Sequence, residues 1–422
     1  MRFNLDAAND LMAKYKMDAL LFIDPDSLKY FGYELFFNSA RDWMLKPGGT
    51  NNYGVTNFCL VPYKKNPIYM VSAFSISSVD TYLADNYDIL ACGPFIDVNI
   101  IKNVSNADKN IAGNKNDIEK KIFELLKKGI FKDQLEALGH ALSKYNLESS
   151  RIAVEQDCIS DVLISNIKSR FSSVEFHNGS ELIRLIRMIK TPEEIAVIEN
   201  CLRITEEAFL KAVNSIKPKT TMKDLKVIFK SAIFKNDAQY EHFFIFPRGM
   251  GMTDNDRYII EKNNILGFDA GVIYNGYTSD TGMTVFFGKY QDRDLEIYKN
   301  LYEMVETGIR SVKPGARCSH VYGEMVKKVS GFKFSGNTFE GHGIGMGFRE
   351  YPAINPNIGY DYNNGFENIS SDFIIEKGMV INFETCYNVF DQKTFQIEKT
   401  VMVTDSGAES FTFQNRQEPV FI

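Results

Sequence analysis

Phe268–Asp280 reads FDAGVIYNGYTSD, with Asp269 and Asp280 eleven residues apart around the turn-like Tyr274-Asn275-Gly276. If the two arms are strands of a hairpin, the two-residue side-chain period brings both carboxylates to nearby points on one face. The competing reading has one aspartate capping a turn and the other solvated on a strand. The stretch alone leaves both open.

Downstream, Phe339–Pro352 reads FEGHGIGMGFREYP. Gly341, Gly343, Gly345 and Gly347 around His342 leave the backbone free to approach something closely. A phosphate loop fits poorly, because no P-loop lysine follows and no βαβ unit surrounds the glycines. A metal-ligand histidine fits better. Further on, Val380–Glu384 (VINFE) ends an apolar strand on a glutamate, and Phe395–Val401 (FQIEKTV) holds Glu398 within another. Acidic residues in runs this apolar are costly unless paired or metal-bound. Two of them, downstream of an aspartate pair and a glycine-flanked histidine, point to a metal site.

In order, spacing and flanking residues, this half resembles the pita-bread metallopeptidase superfamily of methionine aminopeptidases, prolidases, aminopeptidase P and creatinase. The DxG…SD, GHGIG, E and IE elements fall on Asp269, Asp280, His342, Glu384 and Glu398. The helix beginning KTPEEIAVI and the first 185 or so residues resemble the corresponding parts of creatinase and prolidase. The resemblance implies two divalent ions per chain. Asp280 and Glu398 would bridge them, Asp269 would chelate one, and His342 with Glu384 would hold the other. Four carboxylates and one imidazole suit Mn²⁺, Fe²⁺, Co²⁺ or Zn²⁺. Two such ions activate a bridging water for attack, and Glu384 can also take its proton as general base.

The pattern breaks at two places. Family peptidases carry a helper histidine upstream of the first aspartate, here near Met252, and another seven residues after the ligand histidine, here Arg349. His242, on the preceding strand, is read as a structural histidine rather than a replacement. Arginine can only donate protons, whereas imidazole donates or accepts near neutral pH. Arg349 is therefore read as the anchor for a substrate carboxylate, its plain alternative being a surface salt bridge with Glu350. The stretch Glu350–Ile354 (EYPAI) looks closer to a dimethylsulfoniopropionate lyase of the superfamily than to prolidases. That lyase, however, carries an aspartate where this chain has Gly271. Creatinase lacks the full ligand set.

A chain of 422 residues suggests two domains. The clearest boundary lies near residue 190, where Thr191-Pro192-Glu193-Glu194 combines an N-cap, a proline at the first helical position and a capping glutamate. The following helix carries Ile195, Ile198, Leu202, Phe209, Val213 and Ile216 on one face and stops before Pro218. Residues 1–185 alternate strand and helix as an α/β domain. Residues 186–422 read as the α+β catalytic domain, so the fold class is α+β overall. Strands are expected at Ala19–Ile23, Asn57–Pro62, Pro67–Ser72, Arg151–Glu155 and Ser173–Phe176, and one lysine-rich helical stretch from about Asn116 to Tyr145.

A net charge of −6 gives no footprint for nucleic acid or a basic membrane face. Six widely spaced cysteines read as free buried thiols. The charged N-terminus lacks a signal peptide's apolar core, and no apolar run approaches membrane-spanning length. A cytoplasmic protein is expected, and the family resemblance implies a homodimer. Arg41, Trp43 and Lys46 are its candidates for a lid or cross-subunit contact at the substrate, with an ordinary surface loop as the plainer reading.

These readings converge on a metal-dependent hydrolase cleaving a C–N bond in a small carboxylate-bearing substrate. The alternatives are an Xaa-Pro dipeptidase or aminopeptidase, a lyase, and a catalytically silent binding protein on the same scaffold.

Overall fold

Strand β1 (Ala19–Phe22) is apolar on both faces and lies inside a sheet. In this computed structural model the described residues are 3–31, 57–93, 116–157, 159–330, 338–355, 372–411, 413 and 416–422. Among them, Arg41, Trp43 and Lys46 do not appear, so the lid expectation lies outside the described residues. The chain divides into two compact units, the first ending at Ile186 and the second beginning at Arg187.

The first unit is a six-stranded mixed sheet. With β2 (Phe58–Pro62), β3 (Ile68–Ser72), β4 (Asp88–Cys92), β5 (Arg151–Val154) and β6 (Glu175–Asn178), its order is β4-β3-β2-β1-β5-β6. The β2–β3 hairpin closes around the polar turn Tyr63–Asn66 as expected, while β1, β5 and β6 run parallel. The last strand lies two residues later than its sequence pattern suggests. The lysine-rich stretch is two helices, Asp117–Lys127 and Gln134–Tyr145, not one. Phe131 between them bridges to the sheet edge, its N–H donating to the Ala91 carbonyl at 2.9 Å, and Asp133 caps the second helix afresh. Gly129, at φ +117°, ends the first helix locally, and the tertiary hydrogen bond holds the break in place.

The second unit opens with the helix Pro192–Val213, capped as its sequence indicates. The Thr191 hydroxyl accepts from the Glu194 N–H, and the Glu194 carboxylate accepts from the Thr191 N–H at 2.8 Å. Ile198, Leu202, Phe209 and Val213 are buried along it, with Ile216 just beyond, whereas Ile195 is half-buried. A second helix, Met222–Phe234, capped by Thr221, was not evident from the sequence pattern. Five strands follow the order β16-β10-β8-β7 with β9 beside β8: β7 (Gln239–Phe246), β8 (Asn264–Tyr274), β9 (Tyr277–Thr278), β10 (Thr281–Phe287) and β16 (Val420–Phe421). Five more, β11 (Thr338–Gly343), β12 (Glu350–Ile354), β13 (Val380–Val389), β14 (Lys393–Val403) and β15 (Ala408–Ser410), follow the order β12-β11-β13-β14-β15. The sheets are tied at their faces: the Thr284 hydroxyl donates to the Gln396 carbonyl at 2.8 Å and accepts from the Gln396 N–H at 2.9 Å. The glycine-rich segment starting at Gly341 is thus strand first and loop second.

The five described cysteines, Cys59, Cys92, Cys201, Cys318 and Cys386, are free and buried. Among the described residues no helix is long and apolar enough to cross a membrane.

One buried ion cluster fixes the end of the glycine loop. Glu350 accepts from Arg187, from Lys190 Nζ at 2.9 Å and from the Gly347 N–H at 2.8 Å. Burial alone would raise its pKa, but Arg187 and Lys190 hold it down to about 2. Its stabilising contribution is therefore complete above the ordinary glutamate value of about 4.3 and is lost as the pH falls through about 2. Glu350→Gln strands two buried cations and should cost about 3–5 kcal/mol in urea unfolding at pH 7. Part of the wild-type loss of stability in acid should vanish with it.

Candidate metal centre

The β8–β10 hairpin sets the first two carboxylates. Asn275 and Gly276 both have positive φ, +48° and +82°, as the tight turn after β8 requires. Asp269 pairs with Gly282 in the ladder, and Asp280, two residues earlier, shares the face of Gly282. Gly282 must be bare: a Cβ there would lie 2.7 Å from Glu398 Oε1. That space lets the second sheet bring its acids against the first.

On the second sheet Glu384 stands directly opposite Glu398 across β13–β14, and Glu340 directly opposite Glu384 across β11–β13. Like charges in directly opposed positions repel. His342, two residues beyond Glu340, joins the same face. Its Nδ1 lies 3.1 Å from the Gly343 carbonyl, and its Nε2 lies 3.4 Å from Asp280 Oδ2 and 3.6 Å from Glu384 Oε1. The structure thus brings Asp269, Asp280, His342, Glu384 and Glu398 into one cluster.

Burial and mutual repulsion dominate its electrostatics. Asp280 is 2% exposed and Glu398 0%. Burial, then the charge of Asp269, pushes Glu398 up to about 7, although Asn382 Nδ2 and Gln396 Nε2 donate to it at 3.0 and 2.6 Å. Burial and the Glu398 carboxylate likewise raise both Asp280 and Glu384 far above the usual range. Burial and the nearby Arg349 charge lower His342 to about 4, so it is neutral at pH 7. His342 Nε2 and Asp280 Oδ1 are buried without a hydrogen-bond partner. Acids crowded together, a neutral imidazole and two unpartnered atoms turned towards them fit a divalent cation.

Two sequence readings need correction. His242 is not a remote structural histidine. It is buried, with Nε2 2.9 Å from Asp269 Oδ1 and 3.6 Å from Asp280 Oδ1. A bulge between Tyr240 and His242 sets it opposite Gly271, and a register set by strand pairing is invisible in a local pattern. Burial would lower its pKa, but hydrogen bonds to Asp269 and Glu241 and their charges outweigh that and raise it to about 10. Met252, at the expected helper position, is exposed.

Nor does Arg349 pair with Glu350. Its Nη1 lies 2.5 Å from Glu340 Oε1 and its Nη2 2.5 Å from Glu384 Oε1, while Glu350 is taken by Arg187 and Lys190. The Arg349 side chain remains 47% exposed.

Three contributors escaped the sequence reading: Glu340, Asn382 and Gln396. Each lies two residues before a recognised one, which on a strand means the same face. That spacing was the signal available for finding them.

Residues 196–405 match the model of metallopeptidase family M24. The Xaa-Pro dipeptidase of Pyrococcus furiosus is 26% identical over 60% of this chain and 72% of its own length. That of Lactobacillus helveticus is 25% identical over 67% of this chain and 76% of its own. Among solved structures, a dipeptidase from Pyrococcus horikoshii superposes with a TM-score of 0.71 at 17% identity, over 99% of both chains. An Xaa-Pro dipeptidase from Bacillus anthracis gives 0.69 at 16%, also over 99% of both.

The repulsion within the cluster predicts an unusual stability effect. In metal-free protein at pH 8, Asp280→Asn should raise the melting temperature, by a stabilisation of about 1–2 kcal/mol, because it removes an acid whose ionised form burial and the neighbouring carboxylates disfavour. Added Mn²⁺ should raise the wild-type melting temperature and leave the variant's unchanged. Thermal melts with chelator and with Mn²⁺ test both halves.

Proposed function

The chain belongs to the pita-bread superfamily through its M24 metallopeptidase domain, and on that premise we propose that it is a divalent-metal-dependent hydrolase cleaving a C–N bond in a small carboxylate-bearing substrate, dipeptides first among them. The observation that carries this reading is the buried cluster of Asp269, Asp280, His342, Glu384 and Glu398, with His342 Nε2 and Asp280 Oδ1 left without partners. Two divalent ions there would supply an acidified water and an electrophile for the scissile carbonyl. Asp280 and Glu398 would bridge them, Asp269 would hold one, and His342 with Glu384 the other.

The chain's own residues have separable tasks. Asn382 and Gln396 orient Glu398 through one donor to each of its oxygens. Glu384, beside His342, is placed to accept a proton from the attacking water. Arg349 lies against the cluster with half its side chain exposed, so its guanidinium can turn to a substrate carboxylate while staying near Glu340. A dipeptide's terminal carboxylate fits that anchor, and so does a non-peptide amide acid. The second reading keeps the same chemistry on a non-peptide, favoured by Arg349 standing where family peptidases place a histidine. Elimination finds no support in the relatives, which are named as dipeptidases. The same reading takes the enzyme as a cytoplasmic homodimer acting without nucleic acid or membrane.

Elemental analysis of purified protein, paired with turnover of Xaa-Pro dipeptides, creatine, ectoine-type amides and dimethylsulfoniopropionate, tests the proposal. About two ions per chain with C–N cleavage is the expected result. Failure to bind metal at any loading would leave the silent binding protein. Arg349→Ala should raise KM for carboxylated substrates by about tenfold or more, the worth of one charge-assisted hydrogen bond, with a smaller effect on kcat. An unchanged KM would remove the anchoring role.

A further inference from the structure

The ligand set implied by the family resemblance holds one imidazole, yet two face these carboxylates. His342 and His242 are built alike. Each has its Nδ1 against an oxygen acceptor: the Gly343 carbonyl at 3.1 Å for His342, the Glu241 carboxylate for His242. An acceptor at Nδ1 holds that nitrogen's proton and turns Nε2 towards the acids, the arrangement metal-ligating histidines use; His242 Nε2 meets Asp269 Oδ1 at 2.9 Å, and a bound ion would replace the proton shared there. Each Nε2 is then directed at a different oxygen of Asp280: Oδ2 at 3.4 Å from His342, Oδ1 at 3.6 Å from His242. Asp280 Oδ1 has no hydrogen-bond partner of its own.

The His242 ring is held in place by its surroundings. It stacks on Phe244 with centroids 5.3 Å apart and meets Phe348 edge-on at 5.1 Å. It also needs the glycine opposite, because a Cβ at Gly271 would come within 2.5 Å of His242 Cε1. One ligand atom each from His242, Asp269 and Asp280 fall within 4.8 Å of one another, a span that a single ion can bridge.

We propose that His242 is a metal ligand, giving the ion on the Asp269 side its own imidazole, with Glu241 as the carboxylate that orients it. This rests on the metal-centre reading above. It makes the centre a two-histidine site, with one nitrogen donor on each side of Asp280. The competing role is an ion-pair partner for Asp269 that stays off the metal.

Pulsed EPR of the Mn²⁺-loaded full chain separates the two, because it counts imidazole nitrogens bound to the ion. Wild-type protein carrying ¹⁵N-histidine should show two coupled imidazoles, a measurement that needs no variant to fold. His242→Gln, which keeps volume and polarity, should lose one and bind Mn²⁺ about 10–100-fold more weakly. Wild type with one coupled imidazole, or a Gln variant of unchanged affinity and coupling, overturns the assignment and leaves the metal centre standing. Wild type that takes up no Mn²⁺ overturns the metal centre and this ligand with it.

Discussion

The second unit is organised around one unfavourable contact, Glu384 held directly opposite buried Glu398 with Glu340 beside them. Nothing in strand pairing favours three acids abreast, and the cost rises as water is excluded. Much of the local structure compensates for that row. Asn382 and Gln396 donate to Glu398, Arg349 spans Glu340 and Glu384, and His342 on the same sheet and His242 on β7 of the facing sheet border the acids. Gly282 contributes by having no side chain, which allows the second sheet's acids to close on Asp269 and Asp280. A scaffold this rigid keeps donors aimed at a cation before any cation arrives.

Features that depend on neighbours in sequence could be read from the sequence. The cap at Thr191, the hairpin about Asn275-Gly276, and the apolar strands carrying Glu384 and Glu398 all follow from patterns within a few residues. The family resemblance added the order in which those pieces assemble, and with it the α+β architecture of the second unit. Features set by pairing at a distance could not be read in this way. His242 reaches the cluster through a bulge whose register depends on β8, where its partner Gly271 lies twenty-nine residues later in the chain. Arg349 finds Glu340 and Glu384 instead of its neighbour Glu350 because two other cations already hold that neighbour. The helix break before Asp133 is mixed: Gly129, at φ +117°, is a local stop signal, whereas the strand edge that holds Phe131 lies far back in sequence.

Two acids away from the cluster, Glu206 and Glu194, are buried and paired. Glu206 receives Arg416 Nη2 at 3.0 Å and the Phe413 N–H at 3.0 Å, while Glu194 receives the Tyr277 hydroxyl at 3.2 Å. These pairs show what satisfied burial looks like in this chain. Asp280 Oδ1 and His342 Nε2, by contrast, lie without hydrogen-bond partners among crowded acids, which is what gives them a functional reading.

Arg349 and Glu350 are consecutive yet belong to different networks, one turned to the acids of the cluster and the other locked to Arg187 and Lys190. The peptide unit between them separates a scaffold position from a chemical one. Substitutions at 349 can therefore explore new charges and shapes while its neighbour keeps the backbone in place. A lineage can change what such an enzyme accepts at that residue and still inherit the frame that holds its ligands.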